Sequence, residues 1–383
     1  MSNVPTQDEM VARARALAPR LADRAEACEK ARRVPDETVA EFLDAGFHRA
    51  VQPARYGGYE MGWGVLAATA AEFGAGCASQ GWVLTVYGDH AQMVAIFPEE
   101  AQDEVWRDDP QTLTATSFAP MGKASASRGG AVVSGRWGFS SGIDHARWLI
   151  AGAMLEGRFV YVLVPKSEVE VIDDWHVAGL AGTGSKSFAM ADVFVPPHRI
   201  ILESDANDGT APGTKINAAP LYRYPRKGAG VALAAVPVGA ASGMLADFSA
   251  LCRDRTKRGR RAAAGAMDAL RVAEGDSDMA AAKALLAETA RDIEGRLARG
   301  ETLDIEARTV ARRNPAYAVM LACRTVDRIM ASAGGNAIYR TSRLQRAFRD
   351  VHAAAAHIGF SWEMSAGPYG QWALGYEVEK GTY

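Results

Sequence analysis

The chain has 383 residues, 48% of them hydrophobic and 23% charged, which is enough to bury a sizeable core in two or three packed layers and excludes a disordered or fibrous protein. Its 43 Lys and Arg against 45 Asp and Glu leave a net charge of −2, so no excess of cations exists to neutralise a phosphate backbone and nucleic acid is not an expected partner. The charge-free stretch at 228–246 is rich in Gly, Ala and Pro, weaker than the roughly 20 strongly apolar residues of a bilayer span, and the amino terminus lacks the features of a secretory signal; a cytoplasmic protein without a membrane segment is expected.

In chain order, residues 7–45 carry apolar side chains at helical spacing (Met10, Ala14, Leu17, Leu21), with Pro19 placed to kink the first helix and Pro35-Asp36-Glu37 opening a second. Gly57-Gly58 marks a turn, 63–73 resumes the helical pattern, and an apolar segment at 77–97 leads helices on to about residue 107. From Thr112 the composition changes to short β-rich runs at 113–118, 131–139, 148–154, 159–165, 169–173 and 187–195, the spacing of a small antiparallel β domain. A loop rich in Asn, Asp, Gly and Pro at 205–220 precedes Ala-rich helical segments at 231–253, 277–299, 305–333 and 344–358. The reading is a mainly α protein with a β insert: an N-terminal helical domain at 1–111, a central β domain at 112–220, and a C-terminal helical bundle and tail at 221–383.

Several chemistries lack their motifs. The chain has no G-x-G-x-x-G, no G-x-x-x-x-G-K-[ST] and no H-E-x-x-H. Cys28, Cys77, Cys252 and Cys323 are scattered without a C-x-x-C pair, so reduced thiols are expected. His352 and His357 stand five apart, about 140° around a helix, a poor geometry for shared metal ligation; no metal site is expected.

A set of segments in a fixed order then narrows the reading: Val34-Pro35-Asp36 with Ala45-Gly46-Phe47, Pro53-Ala54-Arg55-Tyr56-Gly57-Gly58, Gly135-Arg136-Trp137-Gly138-Phe139-Ser140-Ser141-Gly142, Gly182-Thr183-Gly184-Ser185 before Val193-Phe194-Val195-Pro196, and Gly334-Gly335 ahead of Arg349-Asp350. Together they resemble the acyl-CoA dehydrogenase superfamily over nearly the whole chain, which implies a C-terminal four-helix bundle. Trp82 with Asp89-His90, Asp144-His145-Ala146, and the run from Arg346 through Asp350 and His352 to His357 resemble more closely its flavin-dependent monooxygenase branch, which includes the oxygenase components of p-hydroxyphenylacetate and 3-hydroxy-9,10-seco-steroid hydroxylases. The resemblance implies reduced FMN or FAD supplied by a separate reductase, reaction with O2 to a C4a-hydroperoxyflavin, hydroxylation of a phenolic or similar aromatic substrate, and a homotetramer. An FAD-dependent acyl-CoA dehydrogenase, an N-oxygenase and a non-catalytic scaffold protein remain alternatives.

The same resemblance distributes roles. Dehydrogenases of the superfamily often carry a glutamate base where Ile358 stands; His357, one residue earlier, is a neutral base suited to a phenol of pKa near ~10 rather than to a carbon acid. Asp247 and Asp254 are the carboxylates on another helix open to a dehydrogenase. His90 is expected beside flavin and substrate, donating a hydrogen bond to peroxide or phenolate. Ser141 is the candidate partner of flavin N5, Phe139 stacks on the isoalloxazine, Ser117 and Phe118 approach from the neighbouring strand, and Thr183 and Ser185 line the same wall. Arg258 and Arg261, in a run with six basic residues in nine, are candidates for the flavin phosphate. His145 and His352 are structural, Asp350 pairs with a nearby arginine, and the aromatic tail Phe360, Trp362, Tyr369 and Trp372 shapes the substrate pocket.

Overall fold

The computed structural model describes residues 4–228, 230–257, 262–379 and 381–383. Helix α1 (Gln7–Ala31) starts on a capping box: the Glu9 amide donates to Thr6 Oγ1 at 3.2 Å and the Thr6 amide to Glu9 Oε2 at 2.7 Å. It runs unbroken through Pro19, because Leu17 and Leu21 on either side are buried in one stripe with Met10 and Ala14, and that packing outweighs the one lost backbone bond. After α2 (Asp36–Asp44), the helices α3 (Trp63–Gly76), α4 (Ala78–Ala95) and α5 (Glu99–Trp106) complete the first helical layer.

The strands are β1 (Thr114–Ser127), β2 (Gly130–Ser140), β3 (Trp148–Leu155), β4 (Arg158–Pro165), β5 (Glu170–Ile172), β6 (Lys186–Val195) and β7 (Ile200–Leu202), forming one sheet of order β5-β6-β2-β1-β3-β4-β7. Its ladders are antiparallel except β1 against β3. The expectation of a purely antiparallel sheet is corrected at that pair: β2 turns back beside β1, and residues 141–147 then carry the chain across to the opposite side of β1. Two irregularities face the same end of the sheet. Between Ser117 and Gly122 the β1–β3 ladder slips, and Gly152 of β3 leaves room for the Phe118 and Ala119 carbonyls, the former 2.3 Å from where a Cβ would stand. Between Trp137 and Ser140 the β2–β6 ladder slips as well, and Phe139 there has a left-handed φ of 61°. Such bulges re-aim side chains off the regular pleat.

A short α6 (Glu203–Asp208) and several 3-10 turns lead to the C-terminal helices α7 (Gly230–Lys257), α8 (Ala262–Ala298), α9 (Ile305–Ala333) and α10 (Arg343–Ala355), followed by α11 (Trp362–Ala373). By length and apolarity α7 alone among the described helices matches a membrane span, yet 72% of its most apolar window is buried in the protein: it packs on α3, α8, α9 and α10. Its contact with α3 is backbone to backbone, since a Cβ on Gly239 would lie 2.0 Å from the Ala71 carbonyl oxygen. Cys28 and Cys77 are buried, and Cys252 and Cys323 are half-buried.

Helix α4 is buried along its whole length, so the polar side chains it carries depend on partners inside the protein. Gln80 Nε2 donates to the Leu21 carbonyl and Thr85 Oγ1 to the Gly81 carbonyl. The partners of Asp89 and His90 build the site described below. Elsewhere in this layer His48 is 4% exposed, and neither ring nitrogen has a partner. Burial, assisted by Arg49, pushes it down to about 4. Between that value and the ordinary 6.5 the unfolded chain binds a proton the native chain refuses, so this stability is present above pH ~6.5 and is lost as pH falls toward ~4. His48→Leu should therefore stabilise the fold by about 1–3 kcal/mol in thermal unfolding at pH 7 and by more at pH 5; a destabilised variant, or an equal gain at both pH values, would contradict this account.

Candidate active site

One cavity of about 1370 Å³ lies between α4, the bulged end of the sheet, the start of α7, and the segment joining α10 to α11. Trp82, Val86, Asp89 and His90 line it from α4; the spacing i, i+4, i+7, i+8 puts them on one helical face. Its walls also include Ser117, Phe118, Phe139, Ser141, Thr183, Ser185 and His357. The fold thus brings together all the described residues singled out from the sequence as catalytic or flavin-binding. Arg258 and Arg261 lie outside the described residues. Asp247 and Asp254 do not line the cavity, and Asp247 pairs with Arg343 at 3.2 Å.

Ser141 follows the bulge of β2 and is held between two elements. Trp82 Nε1 donates to its Oγ at 3.2 Å, and its Oγ lies 2.7 Å from Ser185 Oγ. Ser185 Oγ is 2.6 Å from Thr183 Oγ1, which donates to the Leu180 carbonyl at 2.8 Å. The turn carrying Thr183 is fixed from α10: Asp350 Oδ1 accepts from the Leu180 amide at 2.6 Å. This corrects the expected Asp350–arginine pair, because Arg346 and Arg349 both bind Glu29 instead, leaving the buried Asp350 to a backbone donor. Desolvation pushes Asp350 up to about 7, against the pull of the Leu180 N–H.

His357 stands just past α10, capping a 3-10 turn, where its Nδ1 accepts from the Gly359 amide at 3.1 Å. Its ring meets Trp82 edge-on at 5.7 Å between centroids and Phe360 at 5.5 Å. It is open to the cavity, yet the crowding of protein around it, assisted by the Arg226 charge, pushes it down to about 4. The ring is therefore neutral across the physiological range, and with Nδ1 accepting, its proton sits on Nε2. In this tautomer the resting His357 offers an N–H, and serving as the expected base would require the Gly359 contact to break.

His90 is also neutral and also committed. Its Nδ1 lies 2.7 Å from the Thr114 carbonyl, which can only accept, so that nitrogen carries the proton and Nε2 accepts from Thr116 Oγ1 at 2.9 Å. Burial, with a smaller push from Arg226, holds it down at about 4. The donor expected of His90 is spent on Thr114, so the ring anchors β1 to α4 and offers no free N–H to the cavity. Ser117 is similarly occupied, donating to the Gly138 carbonyl at 2.8 Å. Phe118 lies under the Arg226 guanidinium, 4.4 Å from its centroid, with Tyr161 edge-on at 5.4 Å. Phe139 is 77% exposed with Trp175 edge-on at 5.7 Å. His145 contacts Asp36 at 2.8 Å and His352 contacts Asp327 at 2.9 Å, both away from the cavity. From the aromatic tail, Phe360 lines the cavity whereas Trp362, Tyr369 and Trp372 do not; Tyr369 lies under Arg313, 3.9 Å from its centroid.

Sequence reasoning missed Arg226. Its Nη1 and Nη2 bind Asp89 Oδ1 and Oδ2 at 2.8 and 2.9 Å, a two-pronged pair that neutralises both charges inside the cavity wall. Asp89 was legible from its place on the α4 face; Arg226, from a 3-10 turn far along the chain, has no local signal.

The family model for the acyl-CoA dehydrogenase N-terminal domain matches residues 5–108, and that for the C-terminal domain matches residues 231–362. The chain is 38% identical over 353 residues to the flavin-dependent monooxygenase oxygenase subunit HsaA of Mycobacterium tuberculosis, covering 89% of each chain. It is 37% identical to the FADH(2)-dependent resorcinol hydroxylase oxygenase component of a Rhizobium species, over 93% of this chain and 91% of that one. The crystal structure of the 3-HSA hydroxylase from Rhodococcus sp. RHA1 superposes with a TM-score of 0.95 at 33% identity, covering 99% of this chain and 100% of that one. The chain belongs to the flavin-dependent monooxygenases built on the acyl-CoA dehydrogenase scaffold.

Proposed function

We propose that the chain is the oxygenase component of a two-component system, taking reduced FMN or FAD from a separate reductase and hydroxylating a phenolic substrate with O2. The observation that carries this reading is Trp82: its indole N–H holds Ser141 while its ring edge packs on His357, so the place for flavin N5 and the place for a phenolic oxygen lie one indole apart. The cavity, at about 1370 Å³, exceeds the ~300–1000 Å³ usual for a single ligand, which suits a flavin ring and a substrate together. Relatives support the substrate class, since their names include resorcinol and p-hydroxyphenylacetate hydroxylases.

Bound reduced flavin supplies the chemistry that activates dioxygen; the protein's part is placement, proton control and dryness. Phe139, exposed on a left-handed backbone with Trp175 at its edge, leaves a ring face open, and in this reading the isoalloxazine covers it. Ser141 holds N5, with Thr183 and Ser185 behind it. His357 donates from Nε2 to the phenolic oxygen, favouring its ionised form and so raising electron density at the neighbouring ring carbon. Arg226, neutralised by Asp89 and stacked on Phe118, closes the far wall without presenting a bare charge. The relatives favour the hydroxylase over the dehydrogenase alternative, since those named above are flavin-dependent hydroxylases and monooxygenases. We place the enzyme in the cytoplasm as a homotetramer, by family resemblance.

Two measurements test these roles. Ser141→Ala should divert oxygen from product to free hydrogen peroxide, read as the ratio of peroxide released to substrate hydroxylated; a variant that couples as well as the parent would remove Ser141 from the role. His357→Ala should slow single-turnover hydroxylation about 10²-fold, while His357→Asn, which keeps an N–H donor but cannot take a proton, should stay within about tenfold of the parent between pH 6 and 9. Equal losses in the two variants would return His357 to a base.

A further inference from the structure

The hydroxyls behind Ser141 fix the direction of its own proton. Three oxygen pairs are in close contact: Ser141 with Ser185 at 2.7 Å, Ser185 with Thr183 at 2.6 Å, and Thr183 with the Leu180 carbonyl at 2.8 Å. Two oxygens at such distances with no hydrogen between them repel, so each contact must hold a proton. The chain of contacts owns three protons, one per hydroxyl, and the carbonyl at its end has none to give. Only one assignment satisfies all three: Thr183 donates to Leu180, Ser185 to Thr183, and Ser141 to Ser185. The Leu180 carbonyl also accepts from Trp175 Nε1 and from the Thr183 amide, each at 3.1 Å, which leaves its role as the sink unchanged. At the other end Trp82 Nε1–H occupies one lone pair of Ser141 Oγ at 3.2 Å. Ser141 is left with no proton to offer and one lone pair to receive.

We infer that Thr183 and Ser185 are positioning residues that turn Ser141 into an obligate hydrogen-bond acceptor, making this wall selective for the reduced state of the flavin. This rests on the flavin reading given above and deepens it. Reduced flavin carries a hydrogen on N5 and donates there; oxidised flavin has a bare N5 that can only accept. Against an acceptor, the first gains a bond and the second meets a lone pair. The site thereby takes the flavin in the form that a reductase delivers, resists loss of the N5 hydrogen while it is bound, and favours release of the oxidised form after turnover. Trp82 contributes from the opposite side by filling the lone pair that a second donor would otherwise use.

The test is anaerobic titration of reduced FMN and aerobic titration of oxidised FMN, without substrate, into the full-length parent and the Ser185→Ala, Ser185→Thr and Thr183→Val variants. The parent should bind the reduced form at least about tenfold more tightly, the worth of one hydrogen bond. Ser185→Ala removes the acceptor for the Ser141 proton and frees it to point at N5, so the reduced-to-oxidised preference should shrink about tenfold, chiefly by tighter binding of oxidised FMN; Thr183→Val should shift it in the same direction, and Ser185→Thr should restore it. An unchanged preference in Ser185→Ala, or equal weakening of both redox forms as from a merely structural defect, overturns the inference while leaving the flavin reading intact. A parent that binds neither form of FMN, nor of FAD in the same titration, overturns both.

Discussion

The backbone of Leu180 is the fixed point of the active-site wall. Its amide is taken by Asp350 of α10 and its carbonyl receives the Thr183 hydroxyl, while Leu180 itself sits at a left-handed φ of 54°, a conformation a leucine keeps only when its surroundings enforce it. From that point the hydroxyls of Thr183, Ser185 and Ser141 follow in sequence to the indole of Trp82. A carboxylate on a C-terminal helix, a turn of the sheet domain and a buried N-terminal helix are thereby joined through short hydrogen bonds, and the orientation of one hydroxyl depends on all three.

The same economy explains why the cavity is polar in few places. Helix α4 is buried on every side, and its two strongly polar cavity residues are each matched in place, Asp89 by Arg226 and His90 by the Thr114 carbonyl and Thr116 hydroxyl. The ladder slips in β1 and β2 turn Phe118 and Phe139 toward the cavity. What faces a bound ligand is then a mainly apolar surface with a lone pair at Ser141 and the Nε2 of His357, while Lys227, Arg312, Glu363, Glu377 and Glu379 add charge elsewhere on the lining. Around Ser141 and His357 an apolar wall of this kind limits water where the reaction develops charge.

Much of the fold was legible because local signals set it. Helix α9 follows the predicted 305–333 run, with Asp304 capping Ala307 at 2.8 Å and Gly334 leaving the helix at φ 82°. Strands β2 to β6 fell near their predicted runs, but β1 continues to Ser127, well past the expected end at 118, and the three-residue β7 and the parallel β1–β3 pairing did not follow from periodicity, since partner choice is a long-range matter. Helix α10 stops at Ala355 rather than running to 358, because His357 takes the Gly359 amide and opens a 3-10 turn. In the site, the identities of Ser141, His90 and His357 were legible through family resemblance, whereas their hydrogen-bonding sense was not. Proton direction depends on distances between segments more than 40 residues apart in the chain, and Asp350 lost its expected arginine to Glu29 for the same reason.

The central claim is that this wall is an acceptor built for a flavin carrying hydrogen on N5. The most direct measurement is the midpoint potential of flavin bound to the parent protein, compared with the same flavin free in the same buffer. Preferential binding of the reduced form requires the bound potential to be the more positive of the two. A bound potential equal to or below that of free flavin would contradict the account, because it would mean that Ser141 favours, or ignores, the bare nitrogen of the oxidised ring.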